Sequence, residues 1–179
     1  EITHNACKDL KSGCVIVLDV KTSSILACVT KPDNSYVNKA FQQYSVGSVF
    51  KTVVACCALE NNIDIQYQCC GNITVGDTTF SCQNNKAHEN QNLKQALANS
   101  CNCYFVNLAL KLGGDKILET ADALGFNETT QLFDDWQIKN AQMPSYNDLK
   151  QKGQLALFGF GQGKFTATPV QIARCFCAI

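Results

Sequence analysis

Ser48-Val49-Phe50-Lys51 places a hydroxyl and an amine three residues apart at the start of an apolar run, Val53 to Leu59. On a helix that spacing puts both side chains on one face. A lysine among apolar residues is penalised as an ammonium, and a neutral amine beside a serine hydroxyl can act as its general base. The helix start also favours negative charge developing on the serine oxygen. The four letters alone are a weak signal, since a helix-start serine with a lysine reaching to solvent gives the same pattern. Ser100-Cys101-Asn102 adds a second hydroxyl and a carboxamide in a short break between two helical stretches, where both can be held rigidly. Ser145-Tyr146-Asn147 repeats the letters after Pro144, without a packed element on either side, and is the weaker candidate.

The elements that must position these groups are legible from periodicity. Gly13 to Val20 and Ile25 to Thr30 read as strands joined by the Lys21-Thr22-Ser23-Ser24 turn, a hairpin with buried faces. Lys31 to Tyr44 is polar and aperiodic, hence loop. A helix runs from Ser48 to about Glu60 with apolar residues on nearly every side, which makes it a buried helix. Residues 61–90, rich in Asn, Gln, Gly and Thr, are expected as short strands and loops. Leu93 to Ala98 and Cys103 to Leu112 read as helices, and Asp115 as the N-cap of another that Gly125 ends. Phe126 to Lys152 is expected to be irregular. Thr168-Pro169 opens an amphipathic helix, Val170 to Ile179. Ile179 is apolar and follows no glycine or cap, so residues 13–179 read as part of a domain, with residues 1–12 as the end of a linker or of a preceding segment.

With 179 residues, 46% of them hydrophobic, the chain holds one sizeable core, and fifteen basic residues against fifteen acidic ones give no electrostatic reason to expect nucleic acid. The longest apolar run is far short of the roughly 20 residues a membrane span needs. Any anchor or export signal is expected outside these residues. Twelve cysteines are many, yet no C-x-x-C occurs and His4 and His88 are the two histidines, so no metal site is expected. Cysteines inside apolar runs, such as Cys28, Cys56 and Cys57, read as small buried hydrophobes. Cys70 and Cys82 flank a turn-rich stretch that a disulfide closes if the compartment is oxidising, two reduced thiols being the alternative.

Taken in order, the motifs resemble the penicillin-binding proteins, specifically the high-molecular-weight class B transpeptidases related to penicillin-binding protein A. The similarity runs from about Gly13 to Ile179. Gly13-Cys14-Val15-Ile16-Val17-Leu18-Asp19 with Ile25-Leu26-Ala27 is similar to the family's opening hairpin, and Asn38-Lys39-Ala40 to its Asn-Arg-Ala segment. Tyr44 and Gly47-Ser48-Val49-Phe50-Lys51 are similar to its Pro-Gly-Ser-Thr-Phe-Lys box, with Val46 in place of the proline. Ser100-Cys101-Asn102 with Tyr104-Phe105 is similar to its second motif. Leu124-Gly125-Phe126, Gly161-Gln162-Gly163 and Thr168-Pro169-Val170-Gln171 resemble later landmarks. The third family motif, Lys-Thr/Ser-Gly, is expected after Ile179. Lys11-Ser12-Gly13 matches its letters ahead of the first strand, in the wrong place.

The resemblance implies a mixed α/β (α+β) fold of the transpeptidase and serine β-lactamase kind, a sheet flanked by helices around a buried serine helix, with the C-terminal strands missing. It implies D,D-transpeptidation of peptidoglycan stem peptides ending in D-Ala-D-Ala, with β-lactams as further ligands and no cofactor. By the same resemblance Ser48 is the acylated nucleophile, Lys51 takes its proton, and Ser100 relays a proton to the leaving amine. Asn102 bonds Lys51 and the substrate amide, and Gly47, Ser48 and Asn102 line the substrate site. The Ser48 N–H is one oxyanion donor, while the other belongs to the missing strand. Cell-wall synthesis or division proteins are the implied partners, at the extracytoplasmic face of a bacterial membrane. A β-lactamase or β-lactam sensor is the nearest alternative, although neither Glu119 nor Glu128 begins the Glu-x-x-x-Asn of a class A hydrolase. A non-catalytic interaction module of the same fold is another.

Overall fold

Strand, turn and strand follow one another as the residue types dictate. Gly13–Leu18 and Ile25–Lys31 pair antiparallel with Gly13 opposite Lys31. The computed structural model describes residues 1–133, 136–138 and 141–179. Asp19 builds the hairpin turn by accepting from the Thr22 N–H at 2.8 Å and from its hydroxyl at 2.9 Å. The faces of this hairpin are half-buried, a correction to the buried faces expected from its apolar content; Lys31 alone on the two strands is buried, with its ammonium on Asp33 at 2.8 Å. Helix Pro169–Ala178 packs on the first strand. Its start is fixed by Thr168 and Gln171, whose side chains each bond the other's backbone N–H, a reciprocal cap that the sequence signals with Thr-Pro-x-Gln. Residues 1–12 carry one short helix, Ile2–Ala6, with no buried residue. These segments, with Leu124–Ala141, form the first of two compact units.

The second unit comprises Ser45–Ala123 and Gln142–Phe165. A single 3₁₀ turn, Gly47–Phe50, leads directly into helix Lys51–Glu60, which buries Lys51, Val53, Val54, Ala55, Cys57 and Ala58. Helices Asn102–Leu112 and Gly114–Ala123 pack on it. Apolar composition on all sides overstates its burial, for Val49 and Leu59 are 44% and 68% exposed. Residues 61–90 fold as expected into short strands: Tyr67–Cys69 pairs with Glu89–Gln91, and Asn72–Val75 with Thr78–Ser81. Asp115 lies in the first turn of its helix instead of capping it, because the helix begins one residue earlier, at Gly114. Phe126 to Lys152 is more ordered than its mixed polarity suggests. Thr130–Phe133 pairs with Trp136–Ile138, and Ser145 caps Tyr146–Leu149 through Asp148. Asp134, Asp135, Lys139 and Asn140 of that stretch lie outside the described residues. Within the described residues every strand has a single strand neighbour, and no helix is long and apolar enough to cross a membrane.

Helix Lys152–Phe158 packs on Asn102–Leu112, and its C-cap Gly159 lies tightly against that helix. A Cβ there would lie 2.5 Å from the Ala109 Cβ and 2.8 Å from the Phe105 carbonyl oxygen. Gly153, in the same helix, has nothing within 4 Å of its Cβ position. Gly159→Ala is therefore expected to destabilise the protein by about 1–3 kcal/mol, while Gly153→Ala is neutral or stabilises by up to about 1 kcal/mol. Parallel urea melts of the two variants check the contrast, and equal midpoints would show that the helices separate without cost.

Candidate active site

Two glycines and an aromatic cluster hold Ser48 in place. Gly47 has φ +64°, and its N–H donates to the Gly161 carbonyl at 2.8 Å. Gly161 has φ +75°, and a Cβ on it would lie 2.1 Å from the Gly47 carbonyl oxygen, so only glycine permits this approach. Two residues beyond Ser48, the buried Phe50 ring sits 4.8 Å from that of Phe158 and 4.6 Å from that of Phe165. Ser48 is thus clamped between a backbone hydrogen bond on one side and a buried ring on the other.

Lys51 is 1% exposed, yet its Nζ faces four oxygens: Ser48 Oγ at 3.1 Å, Ser100 Oγ at 3.0 Å, the Ser100 carbonyl at 2.8 Å and Asn102 Oδ1 at 2.6 Å. The Phe105 ring lies 5.8 Å away. Desolvation is the largest influence on this amine and lowers its pKa to about 8, against the opposing pull of the Cys101, Cys82 and Cys103 sulfurs. The oxygens make the neutral form useful. A neutral amine has two N–H donors and one lone pair, so the closer oxygens of Asn102 and the Ser100 carbonyl can take the donors, leaving the lone pair for the Ser48 proton.

The Ser100 turn that the sequence places between two helices is there, between Leu93–Ala98 and Asn102–Leu112. Ser100 has φ +49°, a conformation a non-glycine residue adopts at a cost of about 1–3 kcal/mol. That strained backbone is what turns both its carbonyl and its hydroxyl onto Lys51. Asn102 is oriented from its other end, where Nδ2 donates to the Ser81 carbonyl at 2.8 Å. The structure therefore brings Gly47, Ser48, Lys51, Ser100 and Asn102 together. Ser145 does not join them, its hydroxyl being engaged with Asp148 at 2.7 Å.

Ser48, Ser100 and Asn102 open onto a cavity of about 290 Å³. Its remaining walls are Gln83, Asn84, Lys86, His88 and Asn99, which sequence reasoning missed. Their one signal was the polar richness of residues 61–90, which reads equally well as solvated loop. The proposed Cys70–Cys82 bridge is not formed and needs correction. Cys70 is exposed, whereas Cys82 is buried with its Sγ 3.8 Å from that of Cys69. Successive strand residues point to opposite faces, so the neighbour of the expected cysteine is the one turned inward.

A serine hydroxyl, a desolvated amine and a hydroxyl–carboxamide pair over a polar cleft are the groups that acyl transfer through a serine employs. The chain belongs to the penicillin-binding protein transpeptidase domain family, whose model matches residues 13–179. It is 27% identical to the peptidoglycan D,D-transpeptidase MrdA of Haemophilus influenzae, over 90% of this chain and 30% of that protein. It is 24% identical to the peptidoglycan D,D-transpeptidase PbpA of Mycolicibacterium smegmatis, over 98% of this chain and 42% of that one. The chain thus spans less than half the length of these relatives. Among solved structures it superposes on the D,D-transpeptidase domain of an Eggerthella lenta peptidoglycan glycosyltransferase with TM-score 0.86 at 26% identity, covering 98% of this chain and 50% of that one. The fold is also that of penicillin-binding protein A from M. tuberculosis, solved as a ceftriaxone acyl-enzyme complex (TM-score 0.83, 21% identity, 94% of this chain and 44% of that one).

The lowered Lys51 pKa fixes the direction of a pH dependence. Below about 8 the amine holds its proton and has no lone pair for Ser48; above it the base is free. The rate of β-lactam acylation of the full-length protein is expected to rise about tenfold per pH unit below that value and to level off above it. Stopped-flow acylation between pH 6 and 10 checks this, and a rate independent of pH would remove Lys51 as the base.

Proposed function

We propose that this chain is the acylating part of a D,D-transpeptidase that cross-links peptidoglycan stem peptides. One observation carries the reading: a buried lysine whose Nζ is shared among Ser48, Ser100 and Asn102. No structural role requires a desolvated amine on a serine hydroxyl, whereas nucleophilic catalysis does. The relatives named above as peptidoglycan D,D-transpeptidases support the choice of substrate.

In this mechanism Ser48 Oγ attacks the carbonyl carbon of the penultimate D-Ala while Lys51 Nζ takes its proton. The tetrahedral oxyanion is met by the Ser48 N–H at the helix start. Ser100 passes a proton to the departing amine of the terminal D-Ala, and Asn102 holds Lys51 and bonds the substrate amide. Attack by the amine of a second stem peptide then forms the cross-link and frees Ser48. Within residues 1–179 no Lys-Thr/Ser-Gly segment follows the serine motif, so the second oxyanion donor of this scheme is assigned to a strand beyond Ile179, with residues 13–179 as part of the domain.

The extracytoplasmic face of a bacterial membrane, where stem peptides are cross-linked, is the location this reading requires. A penicillin-binding protein 2 of Helicobacter pylori, similar in fold (TM-score 0.77, 24% identity, 95% of this chain and 38% of that one), was solved in complex with MreC. A cell-wall synthesis protein of that kind is the partner proposed here.

Labelling the full-length protein with a fluorescent penicillin, then mapping the adduct by mass spectrometry, tests the assignment. The adduct is expected on Ser48, with Ser48→Ala abolishing it and leaving the melting temperature nearly unchanged; an adduct on Ser100 or Ser145 would falsify the scheme. Among the described residues, those lining the cavity include no carboxylate of the kind a class A hydrolase uses to activate water. The acyl-enzyme is accordingly expected to persist for minutes or longer, and rapid turnover of a chromogenic cephalosporin would instead favour a β-lactamase.

A further inference from the structure

Gln83, Asn84 and Lys86 wall the serine cavity without taking part in the acyl-transfer steps, and the wall they make is chemically one-sided. Among the described residues, those lining the cavity are all polar and none is acidic, and Lys86 brings a positive charge to it. Within the same residues the Lys86 ammonium pairs with no carboxylate, and the Gln83 and Asn84 carboxamides bond no other protein group. An ammonium with carboxamide N–H groups beside it is a donor set suited to a carboxylate.

These side chains are held in place before any ligand arrives. Asn84 and Asn85 have φ +55° and +53°, left-handed values that non-glycine residues adopt only where the surroundings impose them. The Asn85 N–H donates to the Cys82 carbonyl at 2.9 Å and the Lys86 N–H to the Gln83 carbonyl at 3.1 Å. Gly71, with φ +92°, accepts from the Cys82 N–H at 2.9 Å and lies so close to the loop that a Cβ on it would sit 2.2 Å from the Asn85 carbonyl oxygen. The same stretch is tied to the catalytic set, because the Ser81 carbonyl that steers Asn102 comes two residues before Gln83. In the mechanism above Asn102 bonds the amide of the donor chain. Lys86 therefore flanks the part of the donor that stays on Ser48 after the terminal D-Ala has left.

We propose that Lys86, with Gln83 and Asn84, is a specificity subsite for a carboxylate that the donor stem peptide carries upstream of D-Ala-D-Ala. The inference rests on the transpeptidase reading and deepens it by naming a feature of the substrate. Two groups meet the description: the free carboxylate of a γ-linked D-glutamate at the second position, and that on the side chain of a diaminopimelate at the third. The ion pair forms in the ground state and the transition state alike, so the lysine acts on donor capture and not on the chemical step.

Release of D-alanine from three synthetic pentapeptides by the full-length protein tests the subsite. One peptide carries both carboxylates, one has isoglutamine for the D-glutamate, and one has lysine for the diaminopimelate. Removing the recognised carboxylate is expected to lower kcat/KM of the parent about three- to tenfold, mostly through KM, and the peptide that suffers identifies the source. That preference is expected to disappear in Lys86→Ala, to reverse in Lys86→Glu, and to shrink in the parent at about 0.5 M salt. Lys94→Ala, which alters an exposed lysine on helix Leu93–Ala98, is expected to keep the parent's preference. A parent that treats the three peptides alike, or a Lys86→Ala protein that retains the parent's preference, would overturn the subsite. So would an equal loss on all three peptides in Lys86→Ala, which would put the lysine on the terminal carboxylate they share. Penicillin labelling of Ser48 without D-alanine release from any peptide would instead remove the transpeptidase reading, and this inference with it.

Discussion

Burial of one amine organises the second unit. An ammonium removed from water costs several kcal/mol unless oxygens replace its hydration, and Lys51 has four of them within 3.1 Å. Those oxygens come from the turn before its own helix and from a turn half the unit's length away in sequence. Ser48, Ser100 and Asn102 are thus held together by a shared need, since whichever moves away leaves Lys51 underhydrated. The left-handed backbone of Ser100 is a consequence, because a relaxed turn would present one oxygen where the strained one presents two.

The constraint propagates outward through packing that is otherwise ordinary. For Lys51 to point inward, the 3₁₀ turn before it has to be fixed, and Phe50 does this from within the aromatic cluster of Phe158 and Phe165. The Gly47–Gly161 contact fixes the other end of the turn. Gly161 therefore supports the serine motif although it lies 113 positions after Ser48, which gives the Gly161-Gln162-Gly163 landmark its structural part. Phe105 plays a double part, flanking Lys51 with its ring while its helix carries Asn102 at the first position.

What the sequence made legible follows from how local each signal is. The helix of Lys51, the break at Ser100 and the cap at Thr168 all depend on residues within four of one another, and each is where periodicity and capping chemistry put it. Exposure of Val49 and Leu59 was not legible, because composition says how apolar a helix is and not how many neighbours cover it. The walls Gln83, Asn84, Lys86 and His88 were hidden for another reason: polar residues in a loop look the same whether they face solvent or a cleft. The cysteines are the sharpest case. Sequence spacing set Cys70 against Cys82, with two reduced thiols as the alternative, whereas strand alternation turns Cys69 inward beside Cys82 and leaves Cys70 exposed.

Cys69, Cys82, His88 and Cys101 are separated by 13, 6 and 13 residues, spacings that no local motif shares. Strand pairing shortens them: the Tyr67–Cys69 ladder sets His88 beside Cys69, and the Asn72–Val75 hairpin returns Cys82 to Gly71. Backbone pairing of this kind orders segments that possess little core of their own. Residues 61–90 form such short strands and loops, rich in Asn and Gln and poor in buried apolar side chains apart from Ile65, Val75, Phe80 and the cysteines Cys69 and Cys82. Ordering them by backbone pairing instead of apolar bulk leaves the polar side chains of Gln83, Asn84 and Lys86 to line the cavity at Ser48.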